Sequence, residues 1–280
     1  MLRHKYKQTR ERKAKMKKGI IVKDIYETID KISNFSLQEN WDNSGLTIGD
    51  IKKEVKKVII CLDIDIHVVE EAIANNVQLI ISHHPIIFNP IKNIDISSLV
   101  YKLINANISV ISAHTNIDIG LNGINGELGK LFKLEDIYPL HYEDRLELKK
   151  SLGIIGNLTK EIKSEYFLET IKELLDIEGI KVSNNYRDRK IKKIAICGGA
   201  GSDCINSAVN KKADILITAD LKHNHYIDNI TQDYNNDIIL VDAGHYHTEK
   251  IFIKLIKSKI QKEFKEIEII EYIRKPYIFI

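Results

Sequence analysis

Residues 77–88 read Val-Gln-Leu-Ile-Ile-Ser-His-His-Pro-Ile-Ile-Phe. Gln78–Ser82 has the apolar character of a buried strand. Two adjacent histidines, His83 and His84, follow it, and Pro85 stops it. Neighbouring side chains on a strand point to opposite faces. The pair can serve one site only if the backbone leaves strand geometry there. Pro85 favours that, because it lacks an amide donor and holds His84 in an extended or turn conformation. Open α/β folds hold their ligands at the ends of parallel strands. The stretch therefore points to a metal site, and on its own it suits a polar loop after a core strand equally well.

Working outward, Ile20–Ile32 carries apolar residues at helical spacing. Glu39–Leu46 is turn chemistry around Trp41, the only tryptophan, and it reads as a capped loop with Trp41 packed on the core. Lys57–Asp63 is a strand with a near-continuous apolar run, as in a parallel sheet. A helix over His67–Asn76, a helix over Ser97–Asn105 and a strand over Ile108–Ala113 complete a strand–helix alternation. A helix over Asn122–Phe132 follows. Residues 133–151 are polar and mixed and read as a junction. Beyond it, Leu152–Leu158 reads as a strand and Lys160–Asp176 as an amphipathic helix. His247–Ile260 reads as a long helix and Ile267–Tyr272 as a last strand.

The second half echoes the first. Lys192–Cys197 resembles Lys56–Cys61, and Ala213–Thr218 resembles Val77–Ser82, both at an offset of 136 residues. Asp237–Asp242 takes the part of the third strand. The expected fold is α/β. Two similar halves, 19–132 and 152–280, each carry a central sheet flanked by helices. The site lies at strand C-terminal ends between them.

The chain has 280 residues, 44% hydrophobic and 29% charged, as in an ordinary globular protein. No apolar run has the length of a membrane span and no signal-peptide pattern opens the chain. Its three cysteines, Cys61, Cys197 and Cys204, form no C-x-x-C pair. Reduced thiols in a cytoplasm are expected. The net charge of +3 conceals an asymmetry. Residues 1–18 hold nine Lys/Arg and one Glu, and the remainder has 33 basic and 38 acidic residues, a net −5. An acidic body is not built to coat nucleic acid. The basic arm reads as a disordered tail or, because Met16 is the only other methionine, as sequence ahead of the true start.

Two further clusters follow expected strands. His114 and Asp118 are four residues apart, as are His245 and Glu249. On a helix that spacing puts both side chains on one face. Three clusters of ligand-capable residues at strand ends favour a metal over scattered structural histidines. Imidazole and carboxylate without thiolate suit zinc, iron, manganese, cobalt or nickel. Two such ions lower the pKa of a shared water and serve hydrolysis at carbon or phosphorus. The Gly198–Ser202 stretch could cradle a phosphate at a helix N-terminus, but it lacks a full dinucleotide fingerprint and reads rather as a tight strand-to-helix turn.

At these residues the chain resembles the dinuclear-metal, ring-forming family of type 2 GTP cyclohydrolase I homologues, also called Ngg-interacting-factor-like proteins. The resemblance spans about residues 20–280. It rests on Trp41-Asp42-Asn43-Ser44-Gly45-Leu46, Ser82-His83-His84-Pro85, Ala113-His114-Thr115-Asn116-Ile117-Asp118, Gly198–Ser202 and Asp242–Glu249. It implies two divalent ions per chain, held by His83, His84, Asp118, His245 and Glu249, with Glu249 bridging. It also implies a homohexameric ring with the metal sites facing an inner cavity. His114 would then face substrate or support a ligand, and His114 or His223 would shuttle protons. Where the family often has two adjacent histidines after Asp220, this chain has His223-Asn224-His225, residues that would cap a helix or else line the cavity. The function implied is a metal-dependent hydrolase acting on a nucleotide or other small molecule. The alternative is a non-enzymatic metal-binding, metal-delivery or regulatory ring. No membrane association is expected.

Overall fold

The computed structural model describes residues 19–141, 152–231 and 238–278. The basic arm and most of the 133–151 junction lie outside the described residues. In chain order the first elements are α1 (Val22–Ile32), β1 (Gly45–Ile48), β2 (Lys57–Cys61), α2 (Ile66–Ala74), β3 (Leu79–Ser82), α3 (Leu99–Asn105), β4 (Ser109–Ser112), α4 (Thr115–Ile119) and α5 (Ile124–Leu131). There follow β5 (Glu135–Pro139), β6 (Ile154–Lys163), α6 (Ser164–Leu175), β7 (Lys181–Val182), β8 (Lys190–Ala200), α7 (Ile205–Asn210) and β9 (Ile215–Ala219). The chain then runs through α8 (His223–Thr231), β10 (Ile239–Asp242), α9 (His245–Glu249), α10 (Ile251–Glu263) and β11 (Glu268–Glu271).

The strands form two sheets, ordered β1-β4-β3-β2-β11 and β5-β6-β8-β9-β10-β7. Strands β2, β3 and β4 are parallel, as are β8, β9 and β10. The repeat read from the sequence extends to register. Val58 pairs with Leu79, and Ile194 pairs with Ile215, each partner displaced by the same 136 residues. The turns repeat as well. Asn76 and Lys212, again 136 apart, both take a left-handed conformation where a helix hands over to a strand (φ 52° and 55°), a conformation that closes a helix C-terminus. Each triplet also carries a short antiparallel edge strand on the same flank, β1 against β4 and β7 against β10.

The halves diverge on the other flank. The last strand, β11, pairs in parallel with β2 of the first sheet, whereas β5, which precedes residue 151, pairs with β6 of the second. The sequence reading had assigned Ile267–Tyr272 to the second half. An apolar strand satisfies any open sheet edge, and α10 returns the chain to the first sheet. Strand β6 also runs on through Lys163, where the pattern had suggested a helix from Lys160. The helix expected over Asn122–Phe132 is preceded by a separate short one, α4.

Strand alternation divides the core. Val58, Ile60, Leu79, Ile81 and Ile111 face inward and join Ile194, Ile196, Ile215 and Ile217 in one buried cluster with Ile25, Ile29, Ile124 and Phe252 of the intervening helices. Ile59, Ile80 and Val110 pack outward against Val68, Val69 and Leu103. Ala195, Cys197 and Leu216 pack outward against Cys204 and Ala208. Burial of both faces explains the continuous apolar runs. One helical layer thus serves both sheets and fixes the distance between their strand ends. The three cysteines are free and buried. Among the described residues no helix is long and apolar enough to cross a membrane.

Candidate metal centre

Strand β3 ends at Ser82, and Ser82 Oγ donates to the His84 carbonyl (2.8 Å) and meets Ser112 Oγ at 3.0 Å. The backbone has left the strand, so the His83 and His84 rings lie together, with centroids 4.7 Å apart. His114 follows β4, and its ring lies 5.3 Å from His83 and 5.4 Å from His84. Asp118 sits on α4, while His245 and Glu249 sit one turn apart on α9. The His84 and His245 rings are 5.4 Å apart. All three predicted clusters therefore meet between the two sheets.

Every histidine of the group is held through Nδ1. His83 Nδ1 donates to the Ala113 carbonyl (2.8 Å). His84 is held by Asp63 (2.8 Å), His114 by Asp42 (2.8 Å) and His245 by Asp220 (2.7 Å). With Nδ1 donating, Nε2 is the nitrogen left to ligate a metal once it is free of its own proton. Three of those Nε2 atoms, of His83, His84 and His245, converge on one carboxylate. Glu249 Oε1 lies 3.0 Å from His245 Nε2 and 3.5 Å from His83 Nε2, and Glu249 Oε2 lies 3.2 Å from His84 Nε2. Asp118 Oδ1 is 3.8 Å from His83 Nε2.

Three buried atoms here, His83 Nε2, Asp118 Oδ1 and Glu249 Oε2, have no hydrogen-bond partner among the described residues. Burying such atoms unpaired is costly. A cation satisfies all three, so the donor set fits a metal. Three overlapping groups have ligand atoms close enough to share an ion: His83 with Asp118 and Glu249, His84 with His245 and Glu249, and His83 with His84 and His114.

The electrostatics agree. Burial alone would lower the basicity of His84, but Asp63 and Glu249 outweigh it and raise its pKa to about 10. For His245, burial is outweighed by Glu249 and Asp220, and the pKa rises to about 9. Burial pushes Asp118 up to about 7 against the pull of His83. Burial also works against ionised Glu249, yet His83, His245 and His84 hold it well below the ordinary carboxylate range. The pocket is rich in negative charge and binds protons strongly, as a cation site does.

Backbone detail closes the pocket. At Gly199 (φ +67°) a Cβ atom would overlap Glu249 Oε1, so any side chain there would adopt a strained backbone and push the carboxylate aside. The Gly198–Ser202 stretch is thus the end of β8 and a tight turn, and Glu249 lies against it. Asn125 clips the halves together, accepting from Gly198 N (2.8 Å) and donating to the Asp118 carbonyl (2.9 Å).

Other expectations fare differently. His223 is exposed at the start of α8, and among the described residues no hydrogen bond or ring contact joins it to the cluster. His225 Nδ1 accepts from Lys222 N (3.1 Å), a local cap. Trp41 is not core-packed. It is 58% exposed, because Asp42 turns inward instead. The sequence reading passed over Asp63, Asp220 and the Asp42 carboxylate. Asp63 and Asp220 stand just beyond the ends of β2 and β9, and acids directly after parallel strands were the available signal.

Comparison with known proteins agrees with this architecture. A protein from Helicobacter pylori named GTP cyclohydrolase 1 type 2 is 33% identical over 260 residues, covering 91% of this chain and 98% of its own. A GTP cyclohydrolase 1 type 2 homolog from Clostridium acetobutylicum is 31% identical over 245 residues, 86% of this chain and 89% of its own. The crystal structure of the Staphylococcus aureus hypothetical protein SA1388 superposes with a TM-score of 0.82 at 28% identity, covering 94% of this chain and all of that one. The sequence model of Duf34/NIF3 (NGG1p interacting factor 3) matches residues 20–276, and the chain belongs to that family.

Proposed function

We propose that the protein is a metal-dependent hydrolase whose two divalent ions are held by His83, His84, Asp118, His245 and Glu249, with Glu249 common to both. The observation that carries the reading is the convergence of three imidazole nitrogens and the Asp118 carboxylate on the buried Glu249 carboxylate, with His83 Nε2, Asp118 Oδ1 and Glu249 Oε2 unpaired among the described residues. Bound cations would supply Lewis-acid polarisation and make water acidic enough to deprotonate near neutral pH.

The chain's own residues do the rest. Asp63 and Asp220 fix the orientation of His84 and His245, and Ala113 fixes that of His83. His114, held by Asp42, keeps Nε2 free to take or return a proton at a substrate beside the cluster. His223 has no part in this scheme. The name of the Helicobacter pylori relative, GTP cyclohydrolase 1 type 2, favours a nucleotide substrate. A homohexameric ring belongs to the same proposal and is read by analytical ultracentrifugation.

The test is turnover of a panel of nucleotides and phosphoesters by the full chain, stripped of metal and then reconstituted. Hydrolysis that appears with metal and disappears with Glu249→Ala supports the reading. Stoichiometric metal without turnover, combined with transfer of that metal to an acceptor apo-protein, replaces it with a metal carrier.

A further inference from the structure

The catalytic scheme leaves two large exposed aromatic residues unused beside the cluster. Trp41 is 58% exposed and Phe88 48%. Their ring centroids are 5.7 Å apart at 45°, and each also approaches His114, at 6.0 Å and 6.4 Å. A continuous run of rings thus leads from His83 and His84 through His114 to Trp41.

The two aromatics stand on braced loops. The Asp42 side chain, wholly buried, accepts from Ser44 Oγ (2.8 Å), Thr115 N (3.1 Å), Thr115 Oγ1 (2.5 Å) and Asn43 N (2.7 Å), besides its bond to His114. Gln38 Oε1 accepts from Ser44 N (2.8 Å), and Glu39 N donates to Thr115 Oγ1 (2.9 Å). Asn43 Nδ2 donates to the Ile87 carbonyl (2.6 Å), tying the loop of Phe88 to that of Trp41. One carboxylate, Asp42, therefore holds His114 and braces the loop that carries the indole. Holding a largely exposed indole on a mount braced by so many hydrogen bonds makes sense for a flat ligand that stacks on it.

We propose that Trp41, with Phe88 beside it, is the stacking surface for a planar heteroaromatic ring of the substrate, whose reacting atom then lies at the histidine–carboxylate cluster. This assignment rests on the hydrolase reading for its choice of site. To the nucleotide reading it adds the residues that would hold the ring, which the metal-ligating residues do not specify. Stacking reads a π-face and tolerates different bases. The surface selects for a ring, and the cluster selects for the bond.

Trp41 is the only tryptophan, so intrinsic tryptophan emission reports this position alone. The experiment titrates the metal-loaded full chain with guanosine, adenosine and GTP, and separately with ribose 5-phosphate and inorganic triphosphate. The ring compounds are expected to quench the emission saturably and the ring-free compounds to leave it unchanged. By equilibrium dialysis, Trp41→Ala should weaken GTP binding at least tenfold and Phe88→Ala several-fold. Trp41→Phe should retain most of the affinity. Metal content should be unchanged in all three variants, since none alters a proposed ligand. Equal quenching by ring-free compounds, no quenching by any ring compound, or wild-type GTP affinity in Trp41→Ala would each overturn the proposal. So would a blue shift of the emission with rising protein concentration and no response to the probes, which assigns Trp41 to a contact between copies of the chain. Metal content of ligand variants is read separately, so failure of the hydrolase reading is distinguishable from failure of the stacking surface.

Discussion

Glu249 Oε2 lies 3.2 Å from His84 Nε2, although the two residues follow strands of different sheets. The same carboxylate reaches His245 at 3.0 Å and His83 at 3.5 Å. Glu249 is a donor in both of the ligand groups that contain a carboxylate, whereas removing His84 leaves one of those two, His83 with Asp118 and Glu249, intact. Elemental analysis should show Glu249→Ala losing nearly all bound metal and His84→Ala retaining about half. Similar losses in both variants would contradict a shared carboxylate.

Metal binding should release protons. His84 and His245 have pKa values raised to about 10 and about 9, so both are protonated at neutral pH, and ligation requires them neutral. About two protons should leave per chain on full loading near pH 7.5. Affinity should fall as pH falls, because protons compete at the same nitrogens. Calorimetry in buffers of different ionisation enthalpy measures this directly. Identical heats in phosphate and Tris would exclude it.

Gly199→Ala should act on the site more than on the fold. A left-handed alanine costs roughly 1–2 kcal/mol, and the added Cβ displaces the Glu249 carboxylate. Metal affinity should drop by more than tenfold while the far-ultraviolet dichroism stays unchanged. An alanine variant with wild-type affinity would show that Glu249 has room to move.

Asp42→Asn tests the brace beneath Trp41 and His114. Burial works against ionised Asp42, but His114, Thr115 and Ser44 hold its pKa well below the ordinary range. The unfolded carboxylate titrates near 3.9, so the stabilisation is fully present above about pH 4 and is lost as pH falls toward the folded value. Asparagine should cost about 1–3 kcal/mol at pH 7 in urea unfolding, and the gap to wild type should narrow below pH 4. A gap that does not change with pH would place the effect elsewhere.

The repeat was legible because strands buried on both faces write themselves as apolar runs, and two runs at a common offset of 136 mark equivalent positions down to register. The grouping of His83 and His84 with Asp118 was legible for a related reason, since strand ends of one sheet lie side by side, whereas His245 and Glu249 follow a strand of the other sheet and the letters alone do not say that the two sets of ends face each other. Sheet membership of β11 was not. The letters of Ile267–Tyr272 specify a strand, and only the path of α10 specifies which edge it joins. The exposure of Trp41 was hidden because turn chemistry predicts a turn without saying which side chain faces water. Asp63 and Asp220 escaped notice because an acid after a strand is common, and only its 2.8 Å or 2.7 Å approach to a histidine across the sheet gives it a role.

The most direct measurement is anomalous diffraction from crystals of the full chain grown with one divalent metal, collected on both sides of its absorption edge. Two anomalous peaks per chain are predicted, with Glu249 ligating both and His83, His84, Asp118 and His245 divided between them. Peaks elsewhere, or none at these side chains in protein shown by elemental analysis to contain metal, would contradict the account.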